Sequence, residues 1–253
     1  MTENQLRGAA ALKPVRALCF DVFGTVVDWY GSISEEVLAM GLPVEAGALA
    51  LAWRAGYQPA LQEVRDGRLP WTNVDGLHRR ILDRLLAELS IRLDEEQAQH
   101  LNQVWHRLKP WPDAVSGLLQ LKARYTITTL SNGHVALLLN MAKRAGLPWD
   151  TVLSAELFNH YKPDPEVYQG AARLLGLQHH EVLMVAAHPS DLRGAKRAGL
   201  ATALVPRPLE RGPGGSMAPW QDGEFDTVAQ SFEQLAQQLA QQLAQQSAEQ
   251  AHA

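Results

Sequence analysis

Asp21-Val22-Phe23-Gly24-Thr25-Val26-Val27-Asp28, preceded by Val15-Arg16-Ala17-Leu18-Cys19-Phe20, is the stretch whose reading decides the fold. The upstream run is short and apolar with β-branched and aromatic members, and it predicts a buried parallel strand. It ends at a carboxylate followed by a tight Gly-Thr turn. Open α/β sheets bind ligands beyond the carboxyl ends of their strands, so Asp21 lies where such folds put their chemistry.

Working outward, further strands are expected at 126–130, 151–154, 182–186 and 201–205. Helical patterns at 134–145, 165–175 and 191–198 lie between them and end at Gly146, Gly176 and Gly199. Apolar residues at helical spacing followed by glycine mark helix C-termini. The alternation predicts an α/β fold with a doubly wound, mainly parallel, Rossmann-like sheet. Segment 32–109 breaks the alternation. It carries helical patterns at 35–40, 46–61, 74–89 and 94–108 without a strand signal, so it reads as a helical cap inserted after the first strand. The expected division is a core of 12–31 and 110–232, a cap of 32–109, and a Gln/Ala-rich helical tail of 233–253. Hinges are expected near Ser32 and Pro110-Trp111-Pro112. In the tail, Leu235, Leu239 and Leu243 fall four apart, a period that drifts against 3.6. That drift favours a surface helix over a long coiled-coil seam, with a dimer contact as the alternative.

Composition narrows the function classes. The chain has 253 residues, 46% hydrophobic and 20% charged, which is ordinary for a globular protein large enough to bury a core. A net charge of −4 gives no electrostatic case for nucleic acid or an anionic membrane. Cys19 is the only cysteine, so disulfides within the chain are excluded, and its place in the core strand predicts an inert thiol. No apolar run approaches the roughly 18–20 residues of a membrane span. Residues 1–11 lack the apolar region of a secretory signal, and a cytoplasmic protein is expected.

Three further motifs follow the first: Leu130-Ser131-Asn132-Gly133, Tyr161-Lys162-Pro163-Asp164-Pro165-Glu166-Val167-Tyr168, and Val185-Ala186-Ala187-His188-Pro189-Ser190-Asp191. Together the four resemble the haloacid dehalogenase superfamily, over about residues 15–230. The resemblance implies that Asp21 is a nucleophile. The family's phosphatases carry a second Asp two residues later as a proton donor, where this chain has Phe23. Its metal-dependent members end a strand in Gly-Asp-x-x-x-Asp. Aligning Asp191 with the last acid puts Ala187 at the first, and an alanine offers magnesium no oxygen ligand. Both departures argue against phosphoryl transfer and resemble the type II L-2-haloacid dehalogenase branch, with no metal and no cofactor.

That branch implies hydrolysis of small 2-haloalkanoic acids, haloacetates and S-2-haloacids among them, to 2-hydroxy acids through an aspartyl ester. Lys162 beside Asp21 would keep the carboxylate unprotonated, and Thr25 would orient it. Arg54, in Ala52-Trp53-Arg54-Ala55-Gly56-Tyr57-Gln58-Pro59, resembles the arginine that reaches the leaving halide, with Arg65 and Arg68 in reserve. Ser131 and Asn132, with Val22 and Phe23, would hold the substrate. Asp191 would organise water, and Tyr168 would buttress Lys162 beside the substrate. Trp53, Tyr57 and Trp71 either wall a small apolar pocket or, as is the default for aromatics in a helical cap, pack its core. His188 replaces the branch's asparagine; protonated, it donates from both ring nitrogens, which with Arg54 would suit fluoride. A small halogenated carboxylate, the halide and a second copy of the chain are the expected partners. The competing readings are a phosphatase or phosphonate hydrolase of the same superfamily and a non-catalytic small-carboxylate binder or interaction protein.

Overall fold

The computed structural model describes residues 15–251; positions 12–14 of the expected core and 252–253 of the expected tail lie outside them. Eight strands form among the described residues: β1 (Ala17–Phe20), β2 (Val27–Asp28), β3 (Lys109–Pro110), β4 (Thr126–Ser131), β5 (Thr151–Ser154), β6 (Val182–Ala186), β7 (Ala201–Leu204) and β8 (Thr227–Val228). Six of them make one parallel sheet in the order β5-β4-β1-β6-β7-β8. β1 is hydrogen-bonded on both sides and covered on both faces, which is why every one of its residues is apolar and fully buried. The chain runs outward from β1 through β4 to β5, then returns to β6 on the other side. This reversal opens a crevice at the carboxyl end of β1, between the ends of β4 and β6. β8, beyond the Pro/Gly-rich loop, is too short to signal itself in the sequence.

Five helices stand between β2 and β3: α1 (Trp29–Ala39), α2 (Ala46–Ala55), α3 (Tyr57–Arg65), α4 (Val74–Glu88) and α5 (Glu95–Asn102). β2 and β3 pair antiparallel, so the chain leaves for this insertion and returns through one two-stranded ribbon. The first helix starts at Trp29, ahead of the expected boundary, because Asp28 caps it: its carboxylate accepts from the Gly31 N–H at 2.8 Å. The expected helix over 46–61 is two helices. Pro59 has no N–H to return to Ala55, and the chain turns at Gly56. That break sets Arg54 and Tyr57 on the two sides of one corner. The last expected cap helix ends at Asn102 and continues as a tighter turn, Gln103–His106.

The remaining helices flank the sheet: α6 (Ala114–Lys122), α7 (Val135–Ala145), α8 (Pro165–Leu174), α9 (Pro189–Arg197) and α10 (Phe232–Ala251). Phe232, Leu235 and Leu239 of α10 are buried, and a side chain at Gly117 of α6 would collide with Phe232 at 2.4 Å. Each such burial is worth about 2 kcal/mol, so this part of the leucine stripe is spent on the chain's own core. Two polar straps tie the insertion to the sheet. Arg65 reaches Asp164 at 3.3 Å and the Tyr161 and Lys162 carbonyls at 3.2 and 3.0 Å. Asp75 accepts from His106 at 2.9 Å and lies 3.4 Å from His134. No helix among the described residues is long and apolar enough to cross a membrane.

Candidate active site

The crevice is lined by residues from strand ends and from the insertion. Asp21 leaves β1 with its N–H bonded to the Val185 carbonyl at 3.0 Å, which aims its carboxylate out of the sheet. Thr25 Oγ1 donates to Asp21 Oδ2 at 2.7 Å and accepts from the Ala187 N–H at 2.9 Å. Lys162 Nζ sits between two carboxylates, 2.8 Å from Asp21 Oδ1 and 2.5 Å from Asp191 Oδ2. Tyr168 Oη donates to the other Asp191 oxygen at 2.5 Å. His188 Nδ1 lies 3.0 Å from Asp21 Oδ2, and its Nε2 lies 2.9 and 3.0 Å from the two oxygens of Glu210. Glu210 also accepts from Trp29 Nε1 at 2.9 Å.

These contacts set the charges. Burial alone would raise the Asp21 carboxyl, but the Lys162 charge and the hydrogen bond from His188 outweigh it and hold it well below the usual range. Burial opposes the charge of Lys162, yet Asp191 and Asp21 raise its pKa and keep it an ammonium. Burial likewise works against the His188 imidazolium, but Glu210 and Asp21 push its pKa up to about 10. Asp191 shifts upward, driven by burial against the pull of Lys162. Glu210 is lowered: burial would raise it, and the His188 charge and hydrogen bond reverse that. The Cys19 thiol, buried behind the site, is pushed up to about 12 by desolvation and stays inert.

Above Asp21 lies a cavity of about 570 Å³ whose lining includes Arg54, Tyr57, Ser131, Asn132 and His188. The Arg54 guanidinium stands 4.7 Å from the Tyr57 ring centroid and 5.8 Å from that of Trp29. No carboxylate lies within ion-pair distance of it among the described residues. Ser131 Oγ accepts from the Gly133 N–H at 3.1 Å, which leaves its own proton to donate. Asn132 holds the Lys162 N–H at 2.7 Å and so fixes the start of the lysine motif. Phe23 is buried edge-on to Trp105 at 5.7 Å and also lines the cavity, where it offers no proton.

Several sequence expectations need correction. Val22 turns its side chain into the core and does not line the cavity. Tyr168 lies behind the site and bonds Asp191 rather than buttressing Lys162 or meeting a substrate. Arg65 is spent on its strap to Asp164, and Arg68 is exposed beside Asp66. Of the three cap aromatics Tyr57 alone lines the cavity; Trp53 is in the core and bonds the His78 carbonyl, and Trp71 stacks on Tyr161. His188 directs its ring nitrogens at two carboxylates, not at open space.

Glu210 and Arg211 are the residues that sequence reasoning missed. Both sit in a Pro/Gly-rich loop that carries no chemical signature. The loop is anchored by Arg207, which bonds the Thr25 carbonyl at 3.0 Å and Asp113 at 2.7 and 3.1 Å. One indirect mark lies in the first motif. Gly24 has φ +83°, and a Cβ there would stand 2.3 Å from Glu210 Oε1. Only a glycine lets the turn form while the glutamate closes over it. Gly24→Ala is therefore expected to cost about 1–3 kcal/mol and to displace Glu210, measurable as a lowered thermal midpoint.

Comparison with known proteins agrees with this architecture. The family model for haloacid dehalogenase-like hydrolases matches residues 15–199. The L-2-haloacid dehalogenase PA0810 has 48% identity and a TM-score of 0.85, covering 89% of this chain and 99% of its own. The defluorinating L-2-haloacid dehalogenase Rha0230 has 43% identity and the same TM-score, covering 89% and 95%. The L-2-haloacid dehalogenase of Xanthobacter autotrophicus with chloropropionic acid covalently bound has 26% identity and a TM-score of 0.77, covering 89% and 98%.

Proposed function

Because the chain belongs to the haloacid dehalogenase-like hydrolase family, we propose that it hydrolyses small 2-haloalkanoic acids, haloacetates and S-2-haloacids, to 2-hydroxy acids. One observation carries the reading: an ionised carboxylate and a guanidinium with no carboxylate in ion-pair distance among the described residues line the same cavity. Asp21 attacks the halogen-bearing carbon in line, inverting it and forming an ester to its own side chain while the C–X electron pair leaves with the halide. A halide needs no proton to depart, so Phe23 suffices where a phosphatase needs an acid. The covalently bound chloropropionic acid in the Xanthobacter relative supports an ester-forming reaction.

Thr25, Lys162 and His188 supply hydrogen bonds that hold the Asp21 carboxylate in one orientation before attack. Ser131 and Asn132, at the end of β4, receive the substrate carboxylate. Arg54 receives the halide; its charge also acts on Glu210, but no carboxylate among the described residues is within ion-pair distance of it. Fluoride, the poorest leaving group of the halides, gains most from such a donor, and the defluorinating relative at 43% identity supports fluoroacetate as a substrate. A homodimer, which the family resemblance implies, would need a surface other than the buried first half of the α10 leucine stripe.

The test is halide release from chloro-, bromo- and fluoroacetate beside phosphate release from a phosphomonoester with and without magnesium. Halide release unaffected by chelator is expected; magnesium-dependent phosphate release with no halide would overturn the proposal. Arg54→Gln is expected to lower kcat/KM for chloroacetate by about 10²- to 10³-fold, the usual effect of removing one charge-stabilising donor. The loss should be larger with fluoroacetate. A variant as active as wild type on both substrates would remove Arg54 from the site.

A further inference from the structure

Ester formation is half of a turnover, and the structure bears on the other half. Two groups stand where they could activate water, Asp191 and His188. Both oxygens of Asp191 are already engaged, by Lys162 and by Tyr168. His188 is ion-paired with Asp21 only while Asp21 is an anion, and its side chain is more exposed than that of Asp21, 25% against 10%. Its other nitrogen is fixed by Glu210, which Trp29 and the close approach at Gly24 hold in turn. A nucleophilic carboxylate, a histidine 3.0 Å away and an acid 2.9 Å beyond it form a nucleophile–base–orienter line.

Resting on the dehalogenase reading above, we propose that His188 is the general base of ester hydrolysis and that Glu210 is its positioning residue. Alkylation of Asp21 abolishes the anion that bound the Nδ1 proton. The imidazolium then releases that proton to solvent, the one acid equivalent that accompanies each halide. Neutral His188 keeps its Nε2–H on Glu210 and presents the Nδ1 lone pair to a water molecule. The water oxygen bonds to Cγ of Asp21 as its proton passes to Nδ1. The Cγ–O bond to the substrate carbon then breaks, and the departing alkoxide takes the proton back from Nδ1. The new Asp21 carboxyl finally protonates His188 and restores the resting ion pair.

Alkylation moves the two candidates in opposite senses of usefulness. Asp191 loses the repulsion of Asp21 but keeps Lys162, so it becomes a weaker base. His188 loses one of its two anions, so its pKa falls from about 10 toward the range where it is neutral at working pH. The charged groups around it are Asp21 at the end of β1, Glu210 in the loop, Asp191 of α9 and the cations Lys162, Arg54 and Arg211, which line the same cavity. Only Asp21 changes charge when the ester forms.

The test is rapid-quench kinetics on the full chain with chloroacetate, following halide and, by intact mass, the ester. His188→Asn and Glu210→Gln are expected to keep a halide burst near one equivalent while steady turnover falls about 10²-fold or more, with ester accumulating. Glu210→Gln keeps an oxygen for Trp29 and is close in shape, so the fold should survive. Its pH profile carries the decisive sign: removing the Glu210 anion should shift the rising limb of ester hydrolysis to lower pH. Fluoroacetate should show the same loss as chloroacetate. Accumulation of ester in Asp191→Asn but not in His188→Asn would overturn the assignment. So would loss of the burst in Glu210→Gln with an unmoved pH limb. Absence of halide release by the wild type would instead overturn the dehalogenase reading itself.

Discussion

Asp21→Asn is expected to lower halide release by at least about 10⁴-fold while the protein stays folded, because an amide oxygen cannot stand in for a carboxylate nucleophile. The stability half of this expectation comes from the surrounding charges. Asp21 shares Lys162 with Asp191 and shares His188 with Glu210. Neutralising Asp21 leaves two separate pairs, Lys162 with Asp191 and His188 with Glu210, so no buried charge is orphaned. Halide measured by ion chromatography and a thermal melt decide the matter together. A dead variant that also melts far below wild type would show only that the site had collapsed. An active one, within about tenfold of wild type, would remove the nucleophile from the mechanism.

Lys162→Met is expected to be the most damaging substitution for the fold as well as for turnover. It leaves Asp21 and Asp191 buried without the ammonium that bridges them, and breaking a buried pair from one side costs about 3–5 kcal/mol. Without Lys162, burial and the repulsion of Asp21 raise the Asp191 carboxyl further, while Asp21 keeps only His188 as a cationic partner. The sign of the pH effect then differs from wild type. Wild-type Asp21 has a depressed pKa, so its contribution is present above its unfolded value near 3.9 and is lost as pH falls through the folded one. In the variant the raised Asp191 carboxyl takes up a proton as pH falls, so the deficit against wild type should shrink from pH 7 toward pH 5. Melting midpoints of both proteins across that range check it. A deficit that grows toward low pH would contradict this account of the lysine. Activity at pH 7 should fall at least about 10²-fold, since Asp21 loses the Lys162 hydrogen bond that orients its Oδ1.

The core was legible because its signals are local. A run such as residues 17–20 must be buried on both faces, and a glycine after a helical pattern, as at Gly146, ends a helix wherever the chain goes. Asp21 could be placed for the same reason, since it closes such a segment, whereas Thr25, Lys162, His188 and Asp191 were named through the resemblance of their motifs to the haloacid dehalogenase superfamily. The insertion was legible as helices but not in detail. The break at Gly56 depends on one missing N–H at Pro59, and it is this break that brings Arg54 and Tyr57 to the cavity. Tyr168 was misread because a tyrosine six residues after the lysine can face either way on a helix, and packing against α9 decided which.

Phe23 and Ala187 were enough, residue by residue, to argue against the proton donor and the metal carboxylate of a phosphatase. Side-chain chemistry that is absent stays absent in any fold. What Asp21 faces could be decided only by folding. Its partners come from positions 141 and 167 residues away, and the glutamate that orients His188 lies in a loop whose composition says nothing of chemistry. Contacts across that separation form only when the sheet brings the ends of β1 and β6 together and Arg207 pins the loop against Thr25. The carboxylate was written in the chain; its charge, its histidine and the acid behind that histidine are properties of the assembled crevice.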